Sequence, residues 1–339
     1  MKKFLKIALA VLLVFLLVAA GYVYKLLDSI QNTQVVNPDT GKPIKDPSDL
    51  GIGPSAPDFD KTGIKNIMLF GTDNRSRNEK SRSDTMMVAS IDRKHKAVKI
   101  TSLMRDMYVP IPGRNDDRLN TAYAFGGPSL AIKTVNSTFN MDITDYVSVD
   151  FYSLEMIIDE VGGIPIDVKR SEVKEINKYA KDLDRVVNDG SKAPLLTEAG
   201  LQVLSGRQAV SYCRIRSVGR DDFERTERQR RVLNELFKKG KSIGITRIPG
   251  LVSKILPEIE TSLTKTEIVD LAMVMLGFST SEIDQFRLPA DGYYTDQTIR
   301  RMRVLVPDLD ESKDMLHDFI YGTDQEEVGN NNQGDETSF

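Results

Sequence analysis

The sequence predicts an α/β protein in which a central mixed sheet lies between two layers of helices, as one extracytoplasmic domain behind an N-terminal transmembrane helix. Three observations predict this fold. The 339 residues are 40% hydrophobic, enough to bury a large core. Short β-prone runs alternate along the chain with segments of helical periodicity. A single cysteine excludes an internal disulfide, so the core alone must stabilise the fold.

The N-terminal region is interpreted as an anchor followed by a linker. Residues 7–24 carry no charge and follow three lysines within the first six residues. Such a run is long enough to span a bilayer, and the lysines keep residues 1–6 in the cytoplasm. This pattern predicts a single-pass protein of the cell membrane with its C-terminal domain outside the cell; a cleaved signal peptide is the alternative. Residues 25–62 are rich in Pro, Gly, Asp and Ser, which predicts an extracellular stalk.

The predicted strands are β-prone apolar runs bounded by turn residues. In chain order they cover 67–70, 85–91, 98–103, 146–149, 164–168, 212–216 and 283–288. The second and third are predicted to form a hairpin, because a polar turn around His95 separates them. The predicted helices show apolar residues at helical spacing and cover 129–139, 152–161, 198–204, 223–239, 267–278 and 309–321. This mixture predicts helices packed on a sheet.

Arginine is concentrated in one short stretch of the chain. Residues 212–231 hold seven of the 22 arginines and no lysine. The planar guanidinium fork binds phosphate or carboxylate oxygens two at a time, whereas lysine is a flexible point charge. The bias therefore predicts a site for an oxyanion. A net charge of −3 argues against a nucleic-acid-binding domain, which is usually basic over one broad face.

The spacing of these arginines predicts that they converge. Arg214 and Arg216 would leave the same face of the predicted strand 212–216. Asp222 would cap the next helix, which would then begin with a stripe formed by Arg225, Arg228 and Gln229. The helix dipole would add to the attraction for an anion. The alternative is a solvated helix whose arginines pair with Asp221, Asp222, Glu224 and Glu227.

Aspartates at predicted strand ends suggest a metal site. Asp73 ends the first strand and Asp84 opens the second, so the two could share a hard cation such as Mg²⁺. Each alone could instead stabilise a local turn. Arg105 and Asp106 follow the strand 98–103, at the kind of sheet end where α/β folds place ligands, with a surface ion pair as the alternative.

The remaining reactive side chains exclude other chemistry. The two histidines, His95 and His317, have no plausible metal partner in the sequence, which argues against a zinc site and a Ser-His-Asp triad. Cys213 has no histidine nearby and is interpreted as a packed core thiol. Residues 268–276 are apolar nearly all round and could line a groove for a lipid tail, with ordinary core burial as the alternative.

Several short motifs occur in a fixed order along the chain. They are Gly71-Thr72-Asp73, Arg82-Ser83-Asp84-Thr85, Met104-Arg105-Asp106, Leu119-Asn120-Thr121-Ala122-Tyr123 with Gly126-Gly127, Tyr212-x-Arg214-x-Arg216, and Asp222-Phe223-x-Arg225-x-x-Arg228-Gln229. Together they resemble the LytR-CpsA-Psr family of Gram-positive envelope proteins. The match spans about residues 65–240, so 63–240 would form the catalytic domain. Residues 241–322 would form an extension packed on it, and the polar tail 323–339 is predicted to be disordered.

The resemblance implies a function and the residues that perform it. Family members transfer an anionic glycopolymer, of the wall teichoic acid or capsule type, from polyprenyl pyrophosphate to a muramic acid hydroxyl of peptidoglycan. The resemblance implies Mg²⁺ at Asp73 and Asp84. It implies that the pyrophosphate is bound by Arg105, Arg214, Arg216, Arg225, Arg228 and Gln229, with Arg82 and Arg220 as further ligands. The predicted catalytic residues are Arg105, Asp106, Arg225 and Arg228, and the base could be Asp106 or a Mg²⁺-bound carboxylate.

The sequence departs from the family pattern at one position, and two other functions are alternatives to the transferase. Many members have glycine before the arginine that matches Arg225, where this chain has Glu224. The first alternative is a non-catalytic envelope regulator that binds glycopolymer or carrier lipid, and the second is a hydrolase of the lipid pyrophosphate. Direct binding to DNA is not expected of an exported domain that lacks a helix-turn-helix pattern.

Overall fold

The structure, a computed structural model, describes residues 31–37, 40–44, 46–72, 83–187, 190–243 and 248–322. Its strands are β1 (Gln31–Asn32), β2 (Ile64–Thr72), β3 (Ser83–Asp92), β4 (Ala97–Leu103), β5 (Tyr108–Val109), β6 (Asp117–Arg118), β7 (Asp145–Asp150), β8 (Ile164–Val168), β9 (Gly200–Leu204), β10 (Glu260–Thr261), β11 (Asp284–Leu288), β12 (Tyr294–Ile299) and β13 (Met302–Pro307). Its α-helices are α1 (Phe59–Thr62), α2 (Leu119–Phe139), α3 (Phe151–Glu160), α4 (Arg170–Val187), α5 (Gly206–Cys213), α6 (Asp222–Ser242), α7 (Ile248–Ile255), α8 (Lys265–Leu276) and α9 (Leu309–Tyr321).

A seven-stranded mixed sheet organises these elements, in the order β1, β10, β7, β2, β3, β4, β11. The three central strands β2, β3 and β4 are antiparallel, whereas β7 and β11 pair in parallel with β2 and β4. The predicted hairpin between β3 and β4 is confirmed. Asp92 closes its turn by accepting a hydrogen bond from the backbone N–H of His95 at 2.9 Å.

Both faces of the sheet are buried, because alternate residues of a strand point to opposite sides. Met68 and Val88 belong to a core that includes residues of α2 and α9. Ile67 and Ala89 face the other way, into a core completed by α6 and α8. The predicted arrangement of a mixed sheet between helices is thus confirmed. A third core joins α3, α4, α5 and the β8–β9 pair to α6.

Two predicted elements beside the arginine cluster are wrong in type. Residues 200–204, predicted as part of a helix, form β9, which pairs with β8 along its length. Residues 212–213, predicted to begin a strand, end α5. This helix starts with a capping box between Ser205 and Gln208 and is buried at every position, so tertiary packing overrides the β propensity of its residues. Arg214 is its C-cap, and Arg216 follows in a turn.

Parts of the predicted stalk pack on the domain. Leu50 is 4% exposed, and the Asn136 side-chain amide donates a hydrogen bond to its carbonyl at 2.9 Å. β1 pairs with β10 at the sheet edge. Residues 46–62 therefore belong to the folded domain. The predicted cytoplasmic segment 1–6, anchor 7–24 and tail 323–339 lie outside the described residues, among which no helix is long and apolar enough to cross a membrane.

Two of the features that were not predicted lie near the arginine cluster. The first is α4, although Ile176, Ala180 and Leu183 recur at helical spacing and are buried. The second is the β12–β13 hairpin, whose strands are short and whose first strand is largely polar. Its Leu305 N–H donates to the carbonyl of Asp106 at 2.9 Å, so the hairpin is fixed directly beside the end of β4.

Candidate functional site

Six of the predicted site residues line one cavity of about 370 Å³. Asp84 comes from the start of β3, Arg105 from the end of β4, Arg214 and Arg216 from the turn after α5, and Arg225 and Gln229 from the start of α6. Phe151, Tyr179 and Cys213 complete the wall. We call this space the arginine cavity. Four guanidinium groups and one carboxylate line it, so it attracts anions.

Asp222 holds three of these arginines in place. Its carboxylate accepts hydrogen bonds from Arg105 Nε at 2.8 Å and from Arg225 at 3.1 Å, and Arg216 Nε lies 3.5 Å away. The prediction that Asp222 caps α6 is wrong. Asp221 occupies the N-cap position without a side-chain cap, and Asp222 lies in the first turn, facing the arginines.

The charge of Asp222 is maintained by its neighbours. Burial opposes ionisation of this carboxyl, but the positive charges of Arg225, Arg105 and Arg216 outweigh burial and hold the pKa of Asp222 below its ordinary value. Asp222 is therefore ionised at neutral pH. A fixed carboxylate among guanidinium groups orients their forks before any ligand binds.

Arg225 lies deepest among the arginines of the cavity and is 3% exposed. Burial is the main reason why its pKa falls to about 10, so Arg225 keeps its charge at neutral pH. Its Nε is buried and donates no hydrogen bond within the described residues, and Gln229 Oε1 is likewise unpartnered. Buried polar groups are nearly always satisfied, so these two atoms indicate that a ligand completes the site.

The other two arginines lie towards the opening. Arg214 rests over the rings of Phe151 and Tyr179, with its guanidinium carbon 5.2 Å and 5.3 Å from their centroids. The side chain of Arg216 is 40% exposed and lies 3.9 Å from the Asp84 carboxylate. Both cations thus remain accessible to a ligand. Burial raises the pKa of the Cys213 thiol to about 12, and this thiol therefore stays neutral, as expected of a core residue.

Arg228 does not line the cavity. Its guanidinium is 3% exposed and is bound by Glu172 at 2.8 Å and by the carbonyls of Ile215 and Val218 at 3.1 and 3.0 Å. These contacts connect α6 to α4 and to the turn that carries Arg216. The structure therefore gives this predicted ligand a supporting position behind the cavity wall.

Arg220 and Glu224 lie at the edge of the site. The Arg220 side chain is 65% exposed and lies 4.0 Å from Glu224 and 3.6 Å from Asp291. Glu224, the departure from the family pattern, thus pairs with Arg220 and does not line the arginine cavity. Asp73 and Arg82 lie outside the described residues.

Asp106 lies on the far side of Arg105, near Arg118 at 3.2 Å and Arg105 at 3.6 Å. Burial raises the pKa of Asp106 above its ordinary value, and the charge of Asp222 adds to the rise against the effect of the two arginines. A carboxylate with a raised pKa is a stronger base, which suits a role in proton transfer.

Asp84 is the described member of the predicted metal pair. Its carboxylate contacts Arg105 at 2.5 Å, and its side chain is 29% exposed at the cavity. These oxygen atoms suit a hard cation beside a bound phosphate. Within the described ranges, no group of three or more acidic, histidine or cysteine side chains is arranged to bind a metal.

Sequence reasoning missed Phe151, Tyr179 and Glu172, which lie 35 or more residues before Arg214 in the chain. Their aromatic and acidic types carry no positional signal. Asp222 was noticed, but its adjacency to a predicted helix favoured a capping role.

Comparisons with known proteins agree with this geometry. A model of the LytR_cpsA_psr family matches residues 26–318. The teichoic acid transferase TagU of Bacillus anthracis is 29% identical over 296 residues, which are 86% of this chain and 89% of TagU. Among solved structures, Bacillus subtilis TagV is 27% identical with a TM-score of 0.59, over 76% of this chain and 97% of that one. A structure described as TagT bound to LIIa-WTA has a TM-score of 0.61 at 23% identity, over 79% of this chain and 94% of that one. The chain belongs to the LytR_cpsA_psr family.

Proposed function

We propose that this protein transfers an anionic glycopolymer, of the wall teichoic acid or capsule type, from a polyprenyl pyrophosphate carrier to a muramic acid hydroxyl of peptidoglycan. The observation that supports it best is the arginine cavity, where four guanidinium groups surround a space that one diphosphate can fill. Two buried polar atoms there, Arg225 Nε and Gln229 Oε1, lack partners among the described residues. The full name of TagU, polyisoprenyl-teichoic acid–peptidoglycan teichoic acid transferase, supports the same chemistry.

The reaction requires little covalent help from the protein. The acceptor hydroxyl oxygen attacks the phosphorus that carries the glycopolymer, and the bond from that phosphorus to the bridging oxygen breaks. Polyprenyl monophosphate leaves with the bond electrons, and the hydroxyl proton passes to a base. Negative charge grows on the phosphoryl and bridging oxygens, where fixed guanidinium groups stabilise the transition state more than the ground state.

Each residue has a separate task in this mechanism. Arg105, Arg216 and Arg225 hold the diphosphate oxygens, because one carboxylate fixes all three beforehand. Arg214 binds at the opening. Asp106 takes the proton from the acceptor hydroxyl. Asp84, with Asp73, would hold Mg²⁺, which as a hard cation would neutralise phosphate charge when bound.

We place the folded domain outside the cell, attached by the predicted anchor at 7–24. This location agrees with the chemistry, because a lipid-linked donor and peptidoglycan meet only at the outer face of the membrane. The alternatives remain a regulator that binds without reacting and a pyrophosphate hydrolase. Neither needs a site for the acceptor.

A reconstituted reaction tests the proposal. The full chain in detergent micelles is mixed with a polyprenyl-pyrophosphate-linked glycan, soluble peptidoglycan glycan chains and Mg²⁺, and the products are identified by mass spectrometry. A glycan–phosphate–peptidoglycan conjugate and polyprenyl monophosphate are expected together, and chelation of Mg²⁺ with EDTA is expected to reduce both. Released glycan phosphate without conjugate would favour the hydrolase, and unchanged donor would favour the regulator.

A further inference from the structure

A second cavity of about 120 Å³ lies on the other side of the contact between Arg105 and Asp222. Arg105 and Arg216 line both cavities. The other walls come from the start of α6 and from the β12–β13 hairpin, through Phe223, Asp296 and Arg303 among others. We call this space the hairpin cavity. Because the two cavities share a wall, a ligand in one lies next to a ligand in the other.

The two cavities differ in the balance of charge. The arginine cavity has four arginines and one aspartate, and therefore suits an anion. The hairpin cavity has four arginines and four aspartates, the latter being Asp106, Asp221, Asp222 and Asp296. Interleaved carboxylates and guanidinium groups give no net attraction for an anion, but they accept from and donate to hydroxyl and amide groups. This balance favours a neutral, hydroxyl-rich ligand, that is, a sugar.

Two features indicate that the hairpin cavity is built for a ligand. Asp222 is 8% exposed, lines the cavity, and has a buried Oδ1 that accepts no hydrogen bond within the described residues. Asp221, also in the wall, has φ +54° and ψ −114°, a conformation that costs a non-glycine residue energy and is concentrated at functional sites. Phe223 adds an apolar surface, packed against Tyr294 with ring centroids 5.7 Å apart.

The position of Asp106 indicates the side from which the acceptor hydroxyl approaches. Asp106 lines this cavity and not the arginine cavity. A base must lie on the same side of the phosphorus as the incoming hydroxyl, whose oxygen must come within about 3.5 Å of the phosphorus. The hydroxyl would therefore approach from the hairpin cavity, past the shared wall, while the lipid phosphate would leave on the opposite side.

We infer that the hairpin cavity is the acceptor site, and that the Asp296 and Arg303 side chains of the β12–β13 hairpin bind hydroxyl or amide groups of the acceptor glycan. In this arrangement the hydroxyl oxygen forms its bond to phosphorus, its proton goes to Asp106, and the lipid phosphate carries away the electrons of the broken bond. The inference rests on the proposed function for the identity of the glycan, although sugar binding itself can be measured without the reaction.

The test uses the full chain in detergent micelles and a soluble tetrasaccharide of alternating N-acetylglucosamine and N-acetylmuramic acid, with the lactyl carboxyl groups capped as amides so that the sugar is neutral. Titration calorimetry gives its Kd, and initial rates give KM for this acceptor and for a polyprenyl-pyrophosphate-linked glycan. The variant is Asp296→Asn with Arg303→Gln, two exposed positions that pair at 3.3 Å. The control is Asp310→Asn with Lys313→Gln, an exposed pair at 3.4 Å on α9, outside the cavity.

The hairpin variant is expected to raise the acceptor Kd and KM about tenfold, the usual effect of losing one good interaction, while the donor KM stays within about twofold. The control should change neither constant. A second variant, Asp221→Asn, should also weaken acceptor binding. Asparagine tolerates positive φ as aspartate does, so this variant tests the inference even if the hairpin variant does not fold.

The inference is overturned if the wild-type protein does not bind the tetrasaccharide, if both cavity variants bind it as tightly as wild type does, or if donor and acceptor constants rise together. Hairpin-dependent binding without any conjugate would support the acceptor site and contradict the proposed transferase. If conjugate forms and the acceptor Kd and KM are unchanged in both variants, the proposed transferase activity is supported. The assignment of the hairpin cavity as the acceptor site is then wrong.

Discussion

At the scale of single residues, the site depends on how guanidinium groups are held apart and oriented. Four cations around one cavity repel one another, and Arg105 and Arg216 help to lower the pKa of Arg225. The Asp222 carboxylate offsets this repulsion by contacting three of them. The protein itself therefore holds these three guanidinium groups in a fixed arrangement.

Arg225 should be the arginine whose loss affects the reaction most. Arg225→Ala removes a buried, preoriented donor, and we expect kcat to fall about 100- to 1,000-fold, equivalent to about 3 to 4 kcal/mol in the barrier. Arg225→Lys should recover only part of this loss, because lysine lacks the planar fork. Conjugate formation rates measure both. Arg231→Lys, a change on the outer face of the same helix, is the control, and near-normal turnover of Arg225→Ala would contradict the assignment.

Asp222→Asn should separate binding from catalysis. The change removes one negative charge beside the arginines that line the arginine cavity, so the donor KM should stay the same or fall. The forks of Arg105, Arg216 and Arg225 lose their common acceptor, so kcat should fall about tenfold or more. Steady-state kinetics with a thermal melt as the folding control would show this. A rise in donor KM with unchanged kcat would mean that Asp222 serves ground-state binding only.

The raised pKa of Asp106 predicts that the transfer activity depends on pH. As a base it must be deprotonated, and burial raises its pKa, so activity should increase with pH and reach its plateau only above the ordinary aspartate range of about 4. In Asp106→Asn, the remaining activity should lose this acidic limb. Rates measured from pH 4 to 8 with unchanged folding would test the assignment. An identical acidic limb in the variant would assign the titration to another group.

At the scale of elements, α6 contributes Arg225 and Gln229 to the arginine cavity and is held in place by contacts outside that cavity. Arg228 and Glu172 form an almost fully buried pair that joins α6 to α4. Removing one partner of such a pair leaves a buried charge without compensation. This contact explains why an arginine at helical spacing from Arg225 does not reach the cavity.

Glu172→Ala should therefore destabilise the protein by about 3 to 5 kcal/mol, because Arg228 keeps its charge in a buried position. The control is Glu227→Ala, which removes the exposed partner of Arg231 on the same helix and should cost less than about 1 kcal/mol. Denaturant unfolding measures both. Equal effects of the two changes would show that the buried pair contributes no more than a surface pair.

Elements near the site were also the hardest to predict. Val210, Tyr212 and Ile215 are β-prone residues, which favours a strand at 212–216, yet the capping box at Ser205 and complete burial make residues 206–213 a helix. The choice between helix and strand is therefore decided here by tertiary contacts with other elements. By contrast, β3, β4 and α9 were predicted within two residues of their observed bounds, because their apolar periodicity is regular, and the predicted strand 67–70 lies inside the longer β2.

At the scale of the whole molecule, the segment before β2 is part of the fold. Deletion of residues 1–62 should lower stability by about 2 to 5 kcal/mol relative to a chain that starts at residue 31, because Leu50 leaves the core and β1 leaves the sheet edge. Thermal unfolding of the two chains compares them. If both unfold at the same temperature, the segment behaves as the independent stalk that its composition predicts.

The sequence by itself determined the fold class, the family resemblance and the oxyanion chemistry of the site, because periodicity, motif order and the choice of arginine over lysine are all local properties of the chain. Only the tertiary structure decided which arginines face the ligand. Arg225 and Arg228 share a helix face, but Glu172 turns one into a support while Asp222 directs the other into the cavity. Asp222 lies only three residues before Arg225, but Glu172 lies in another helix, 56 residues before Arg228, so the assignment of Arg228 depends on a distance in space that local spacing along the chain does not encode.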